Sequence, residues 1–233
     1  MSQQEIIFKV FEYVILLFSL SLHEAAHAWM ASRLGDQTAR MLGRVTLNPA
    51  KHIDPIGTVL LPLAMLFVLP SGGLLVGWAR PTPVNTRNFR KFVQGDVLTT
   101  LAGPASNLLA AVVAFFLLIL LAKLSPLGGQ LVHGLPGSIY DFESAPPGAV
   151  FPLVTLLYVG LTLNLILAAF NLIPLPPLDG SHLMRHLLPT RALRAYDQLG
   201  MISLFLMLLF GGRLIGIFVG PAMAVVNHVL VSL

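Results

Sequence analysis

The chain has 233 residues, of which 56% are hydrophobic and 10% are charged. A soluble domain carries roughly 25% charged residues, so the composition predicts an integral membrane protein with several spans. The sequence contains no Cys, which excludes a disulfide scaffold, a thiolate zinc site, an iron–sulfur cluster and a cysteine nucleophile. The net charge is +4, but no basic cluster is interleaved with aromatic residues, so nucleic acid is not an expected partner.

The apolar segments in chain order predict an all-α integral membrane protein. They lie at 6–34, 56–79, 97–124 and 149–173, and two more stretches within 199–233 flank residues 211–213. The first, third and fourth segments are long enough to cross a bilayer core of about 30 Å. We expect a Gly- and Pro-rich loop at 125–147 and one short amphipathic helix at 181–196. The predicted total is about four to six transmembrane helices.

The distribution of charge predicts the orientation of these segments. Residues 32–56, 80–96 and 179–198 carry an excess of basic side chains, whereas residues 123–148 carry an excess of acidic ones. Basic loops favour the cytoplasmic side. Because the second apolar segment has basic residues at both ends, we interpret residues 56–85 as re-entrant or irregular, with a break at Pro62 or at 70–73. A true span that violates the charge rule is the alternative.

The first apolar segment contains the sequence His23-Glu24-Ala25-Ala26-His27. Residues at i and i+4 share one helix face, so both imidazoles can reach the same ion while Glu24 reaches a water beside it. Ionisable groups within a membrane helix are costly and are therefore functional by default. The alternative is a helix end at which these side chains are merely solvated.

A catalytic zinc site needs a third protein ligand. Asp179 is the strongest candidate, because it follows three prolines of the 174–178 run and precedes Gly180, which together favour a rigid turn at the membrane edge. Its alternative role is a helix N-cap, and the residues alone do not separate the two. The other candidates are Asp36, His52, Asp54, Asp96, His182 and His186.

Four motifs resemble those of the site-2 protease family of intramembrane zinc metalloproteases: residues 23–27, the run 171–180, and the patches 43–49 and 102–107. The resemblance implies that His23, His27 and Asp179 bind one zinc ion. It further implies that Glu24 is the catalytic base and that Asn171 assists at the substrate carbonyl.

The resemblance also implies a function: cleavage of a transmembrane segment of a client protein near the cytoplasmic side of a bacterial inner membrane. The partners are then the client and the lipid bilayer. The loop at 125–147 is too short for an inserted PDZ or CBS domain, so we expect the minimal subgroup. We expect one protease domain over 1–233, with a core at 6–190 and a helical tail at 191–233.

Several roles remain open at this level. Asn171 either donates to the oxyanion or bonds a backbone carbonyl freed by Pro174 or Pro176. His182 and His186 are interpreted as solvated or interfacial, and His52 as a loop histidine with a polar pair to Asp54 as the alternative. Asn107 is expected to cap or pack, and residues 77–85 to supply an edge for an unwound substrate strand.

Two other functional classes compete with the protease. A metal transporter or channel using the same His, Glu and Asp cluster is the alternative function. An inactive client-binding relative is less favoured, because it is expected to lose Glu24 or a ligand.

Overall fold

The structure is a computed structural model that describes residues 3–67, 77–138, 146 and 148–233. It contains eight α-helices within these ranges: α1 (Gln3–Leu34), α2 (Thr38–Met41), α3 (Leu61–Phe67), α4 (Phe92–Leu124), α5 (Pro126–Ser138), α6 (Val150–Asn171), α7 (Gly180–Leu187) and α8 (Thr190–Val231). Short 3-10 turns lie at Pro49–Lys51 and Thr86–Asn88, and a π-helical turn at Pro55–Leu60. No strand occurs in the described ranges, which confirms the prediction of an all-α membrane protein.

Three helices of the described chain are long and apolar enough to cross a membrane: α1 from Phe8, α4 and α6. α4 packs against both α1 and α6, so it is the central helix of this group. The total of four to six transmembrane helices stays a prediction, as does the single domain over 1–233.

Two apolar clusters hold the helices together. In the larger, Leu118 of α4, Val132 of α5, Leu161 of α6 and Leu230 of α8 are almost completely buried. In the smaller, Leu16 and Leu20 of α1 pack with Val159 and Leu163 of α6. The outer side of α4 is instead exposed and apolar, as expected for a helix that faces lipid.

The expected loop at 125–147 is wrong for residues 126–138, which form α5. Pro126 occupies the first position of that helix, where its missing N–H removes no helical hydrogen bond. Val132 and Leu135 then bury their side chains against α4 and α6, and this packing outweighs the low helix propensity of the glycines. Residues 139–145 and 147 lie outside the described residues.

The amphipathic helix expected at 181–196 is divided in two. α7 ends at Leu187, Leu188 is extended, and Pro189 precedes the first residue of α8. The steric restriction that a proline places on the preceding residue explains the break. The two apolar stretches that flank residues 211–213 belong to one helix, because α8 continues without interruption to Val231.

The irregularity predicted for 56–85 is confirmed where the chain is described. A π-helical turn precedes α3, Pro62 is buried at the second position of α3 without breaking it, and residues 77–85 form neither helix nor strand. The proposed break at 70–73 lies outside the described residues. Re-entry of this segment stays a prediction.

Candidate metal and catalytic site

The two histidines of α1 face each other at the centre of the α1–α4–α6 group. Their Nε2 atoms are 3.0 Å apart, and the side chains are buried, with His23 5% and His27 8% exposed. Glu24 lies beside them and is half-buried, and ligand atoms of all three side chains fall within 4.8 Å of one another. The predicted i, i+4 arrangement is therefore present as a buried cluster.

Asp179 joins this cluster from the turn between α6 and α7. Its Oδ2 atom lies 3.0 Å from Nε2 of His23 and 3.3 Å from Nε2 of His27. Although Asp179 precedes α7, its side chain makes no capping hydrogen bond, so the N-cap alternative is not realised. Residues 23, 27 and 179, separated by more than 150 positions in sequence, thus converge on one point.

The turn that carries Asp179 is fixed from several sides. The Tyr196 hydroxyl donates to Pro174 O at 2.8 Å, and the Ser203 hydroxyl donates to Pro176 O. Gly180 packs so closely that an added Cβ would lie 2.3 Å from Leu172 O. These contacts hold Asp179 in place without help from its own side chain.

Hydrogen bonds on the far side of each imidazole orient both rings. Nδ1 of His23 donates to Oδ1 of Asn107 at 2.6 Å, and Nδ1 of His27 donates to the backbone carbonyl of Thr99 at 2.7 Å. The Asn107 amide orientation is fixed because its Nδ2 donates to Ser19 O and to Oδ1 of Asn164. With each ring proton on Nδ1, neutral imidazoles turn the lone pairs of both Nε2 atoms toward Asp179.

Three acceptor atoms therefore meet with no proton between them. Oδ2 of Asp179 is buried and has no hydrogen-bond partner among the described residues. Such an arrangement is unfavourable unless a cation occupies its centre.

The spacing of these atoms fits zinc. Ligand bonds of about 2.0–2.1 Å in a tetrahedral site place neighbouring ligand atoms about 3.3 Å apart. The observed separations, 3.0 Å, 3.0 Å and 3.3 Å, are close to this value. A zinc ion held by these three atoms would have its fourth position free for water or substrate, as in catalytic zinc sites.

The wall behind the histidines is one face of α4. Thr99, Gly103 and Asn107 follow one another at intervals of four residues and are all buried on this face. An added Cβ at Gly103 would lie 2.4 Å from Nε2 of His27 and 2.6 Å from Nε2 of His23. The glycine thus provides the room in which the imidazoles approach each other.

Glu24 contacts the irregular segment 77–85. The backbone N–H of Thr82 donates to Oε2 of Glu24 at 2.7 Å, and the Thr82 hydroxyl donates to the Glu24 carbonyl at 3.0 Å. Oε1 has no hydrogen-bond partner among the described residues. One carboxylate oxygen is therefore anchored while the other is available to a water molecule.

Asn171 is the predicted site residue that makes no hydrogen bond to the cluster. It is the last residue of α6, and its amide donates to Leu167 O at 2.9 Å. The alternative prediction for Asn171 is a hydrogen bond to a backbone carbonyl freed by Pro174 or Pro176. The observed bond is to a backbone carbonyl, but to one within the same helix, α6. Its role at the substrate carbonyl stays a prediction.

His182 is 55% exposed, as the solvated interpretation expects, whereas His186 is only 20% exposed and hydrogen-bonds to Asp96. Both approach Asp96 near the start of α4, with His186 Nε2 at 2.8 Å from Oδ2 and His182 Nδ1 at 3.6 Å from Oδ1. The carboxylate of Asp96 raises the pKa of His182, an effect that burial partly opposes. The three side chains join α7, which begins directly after Asp179, to α4.

The remaining candidate ligands have structural partners. Asp36 is fully buried and accepts hydrogen bonds from Thr38, Asn85 and Asn88, while Asp54 caps the π-helical turn through Ile56 N and Gly57 N. His52 is a loop histidine as expected, though fully buried and bonded to Thr46 O. The expected alternative pairing of His52 with Asp54 is not observed among the described contacts.

Sequence reasoning missed the residues that support the site. These are Ser19, Thr82, Thr99 and Asn164, together with Asn107 in its role as the partner of His23. Two polar amides within apolar spans, at 107 and 164, are the signal that would have indicated them, because such groups need internal partners in a membrane.

Comparison with known proteins gives independent evidence on the family of this chain. The sequence profile of Peptidase family M50 matches residues 11–211. "Putative zinc metalloprotease YwhC" of Bacillus subtilis is 40% identical over 176 residues, which are 76% of this chain and 68% of the relative. "Putative zinc metalloprotease Rip2" of Mycolicibacterium smegmatis is 31% identical over 196 residues, 83% of this chain and 64% of the relative. "Putative zinc metalloprotease Rip2" of Mycobacterium tuberculosis is 32% identical over 201 residues, also 83% and 64%.

The chain spans about two thirds of the length of these relatives. No solved structure gives a significant match to it. The family match favours the protease over the metal transporter predicted as its alternative. The chain belongs to peptidase family M50, the site-2 protease family, and is a zinc metallopeptidase of that type.

Proposed function

We propose that this protein is an intramembrane endopeptidase that cleaves a transmembrane segment of a client protein near the cytoplasmic face of a bacterial inner membrane. His23, His27 and Asp179 hold the zinc ion, and Glu24 is the general base. The observation that carries the proposal is the convergence of three unprotonated acceptor atoms within 3.3 Å inside a membrane helix group.

The depth of the site supports cleavage near the cytoplasmic boundary. Residues 23–27 lie in the second half of a candidate span that ends at Leu34, and the basic region beginning at Arg33 follows it directly. Asp179 likewise lies beyond the end of α6, in a region with an excess of basic residues. Because basic regions favour the cytoplasm, a substrate reaches this site from that side.

Glu24 and Thr82 have separate roles in the proposed hydrolysis. When bound, zinc polarises the scissile carbonyl and makes a water molecule acidic enough to react near neutral pH. Glu24 accepts a proton from the attacking water at Oε1 and returns it to the leaving amine. Thr82 N–H holds Oε2 during both transfers, so the carboxylate keeps its orientation.

In this proposal, Asn171 and the segment 77–85 contribute to substrate binding. The Asn171 amide stabilises the oxyanion after rotating away from Leu167 O, an effect worth roughly 3–4 kcal/mol for one such donor in a well-studied protease. Residues 77–85 offer main-chain groups to an unwound substrate strand. Substitution of Pro for residues in this segment is expected to slow cleavage of a helical client and to spare an already extended peptide.

Glu24→Gln tests the proposal, with Glu12→Gln as the control because it makes the same change of a carboxylate to an amide in α1. The probe is a fluorogenic transmembrane peptide with a Gly-Pro pair near its cytoplasmic end, reconstituted with the purified full chain in liposomes. Glu24→Gln should keep one zinc ion by elemental analysis and lose cleavage, while Glu12→Gln cleaves normally. Undiminished cleavage by Glu24→Gln overturns the assigned base.

The intramembrane preference has its own control. Casein, a soluble unfolded protein, is offered to the same liposomes. The proposal expects the membrane peptide to be cleaved faster, and cleavage of casein alone overturns the assignment of a transmembrane substrate.

A further inference from the structure

A basic cavity lies between the end of α1 and the beginning of α4, apart from the zinc site. Its volume is about 200 Å³, and it is lined by Arg33, Leu34, Arg90, Lys91, Gln94 and Gly95. Three of these six residues are cationic and none is acidic. The cavity therefore concentrates positive charge where two candidate spans meet the water phase.

The three cations lack counter-charges within the described structure. No ion pair in the described ranges involves Arg33, Arg90 or Lys91, and the acids that lie close to these cations in sequence, Asp36 and Asp96, have other partners. Asp36 accepts hydrogen bonds from Thr38, Asn85 and Asn88, and Asp96 binds His186. The three side chains are exposed, so their mutual repulsion is moderated by solvent, and an anion bound among them would interact favourably with all three.

The cavity is built on a fixed backbone. Arg90 N donates to Leu34 O at 3.2 Å, which joins the two segments that carry the cations. Gly35 has φ +122°, a conformation that favours glycine, and an added Cβ would lie 2.7 Å from Asn88 O. The two walls therefore stand at a set separation before any ligand binds.

The surroundings of the cavity identify the class of ligand. Trp29 is exposed with the Arg33 guanidinium 5.4 Å above its ring, and Phe92 and Val93 are more than half exposed beside Lys91. Tryptophan and exposed apolar side chains next to basic residues are typical of the membrane–water boundary. Guanidinium groups bind phosphate oxygens with paired hydrogen bonds.

We propose that this cavity binds the phosphodiester headgroup of an anionic phospholipid, with Arg33, Arg90 and Lys91 around the phosphate. The acyl chains then lie along the exposed apolar side chains at the ends of α1 and α4. The site is independent of the proposed peptidase chemistry, because none of its six residues makes a hydrogen bond or ion pair with His23, Glu24, His27 or Asp179.

The test measures lipid binding rather than activity. The full chain in detergent micelles is titrated separately with phosphatidylglycerol, phosphatidylcholine and inorganic phosphate, and bound molecules are counted by native mass spectrometry. The test variant is R90Q/K91Q. The control is R191Q/R194Q, which removes two exposed arginines from the first turns of α8 and changes the net charge equally.

The wild-type chain should bind one phosphatidylglycerol in preference to phosphatidylcholine. R90Q/K91Q should weaken phosphatidylglycerol binding about 10- to 30-fold, as expected for two basic contacts with an anionic lipid, and the control should retain it. Equal loss in both variants, or none in either, overturns the proposal. If inorganic phosphate binds as tightly as phosphatidylglycerol, the assignment to a lipid headgroup is wrong.

Discussion

Replacing Asn107 by Leu removes the acceptor that orients His23 while keeping a side chain of similar size. Asn107 is 0% exposed, and its Oδ1 receives the Nδ1 proton of His23 at 2.6 Å. In Asn107→Leu this proton is left unpaired in a buried position, which costs about 1–3 kcal/mol. We expect the zinc dissociation constant to rise about 10- to 100-fold, the range found when a hydrogen-bond partner of a metal-ligating histidine is removed.

Two further variants separate orientation of the imidazole from general packing. Asn107→Asp keeps an acceptor for His23 but cannot donate to Ser19 O and Asn164, so it should lower thermal stability while largely retaining zinc affinity. Asn227→Leu removes an acceptor from the Tyr158 hydroxyl, a contact that does not reach the cluster, and should leave zinc binding unchanged.

The assay is competition for zinc between the purified chain and a fluorescent chelator in detergent, with helix content checked by circular dichroism. If folded Asn107→Leu binds zinc within about twofold of wild type, the inference that Asn107 orients His23 is refuted. If Asn107→Leu and Asn107→Asp lose zinc affinity equally, its role is packing alone.

Three other changes probe the same framework. In Gly103→Ala the added Cβ meets both imidazoles, so the loss in the free energy of zinc binding should exceed the loss in the free energy of unfolding. Unchanged zinc affinity by the same competition assay would contradict this. Asp96→Asn should weaken zinc binding by loosening α7, whereas Asp197→Asn, which breaks only an exposed ion pair between α7 and α8, should not; equal effects would refute a positioning role for Asp96. Burial would raise the pKa of Asp36, but hydrogen bonds from Thr38, Asn88 and Asn85 hold the pKa below its usual value. The ionised Asp36 therefore stabilises the folded state. This stabilisation should be complete above the unfolded pKa of about 3.9 and should decline as the pH falls below that value. The fall in melting temperature from pH 5 to pH 3 should accordingly be smaller in Asp36→Asn, and an equal fall would contradict the assignment.

The spans and the paired histidines could be predicted because both depend on local sequence. An apolar run of more than 20 residues must hydrogen-bond its own backbone in lipid, which dictates a helix for α1, α4 and α6. The i, i+4 spacing then fixes the side on which His23 and His27 lie. Asp179 was predicted from the need for a third ligand and from the stiffness of the proline run before it.

What sequence reasoning missed depends on which helices touch. Asn107 reads as one polar residue within α4, and only the packing of α4 on α1 reveals that it receives the His23 proton. Likewise, Asp96 and His186 are 90 residues apart, so nothing in either local sequence indicates their contact. The helix α5 was missed for a related reason, because its glycines argue against a helix that burial of Val132 and Leu135 stabilises.

The most direct test is the zinc content of the purified full chain, measured by elemental analysis beside Asp179→Ala. Wild type should hold one zinc ion per chain, and the variant, which keeps both imidazoles but lacks the third acceptor, should lose most of it after dialysis against a weak chelator. Retention of a full equivalent by folded Asp179→Ala would contradict the assignment of this carboxylate as a ligand.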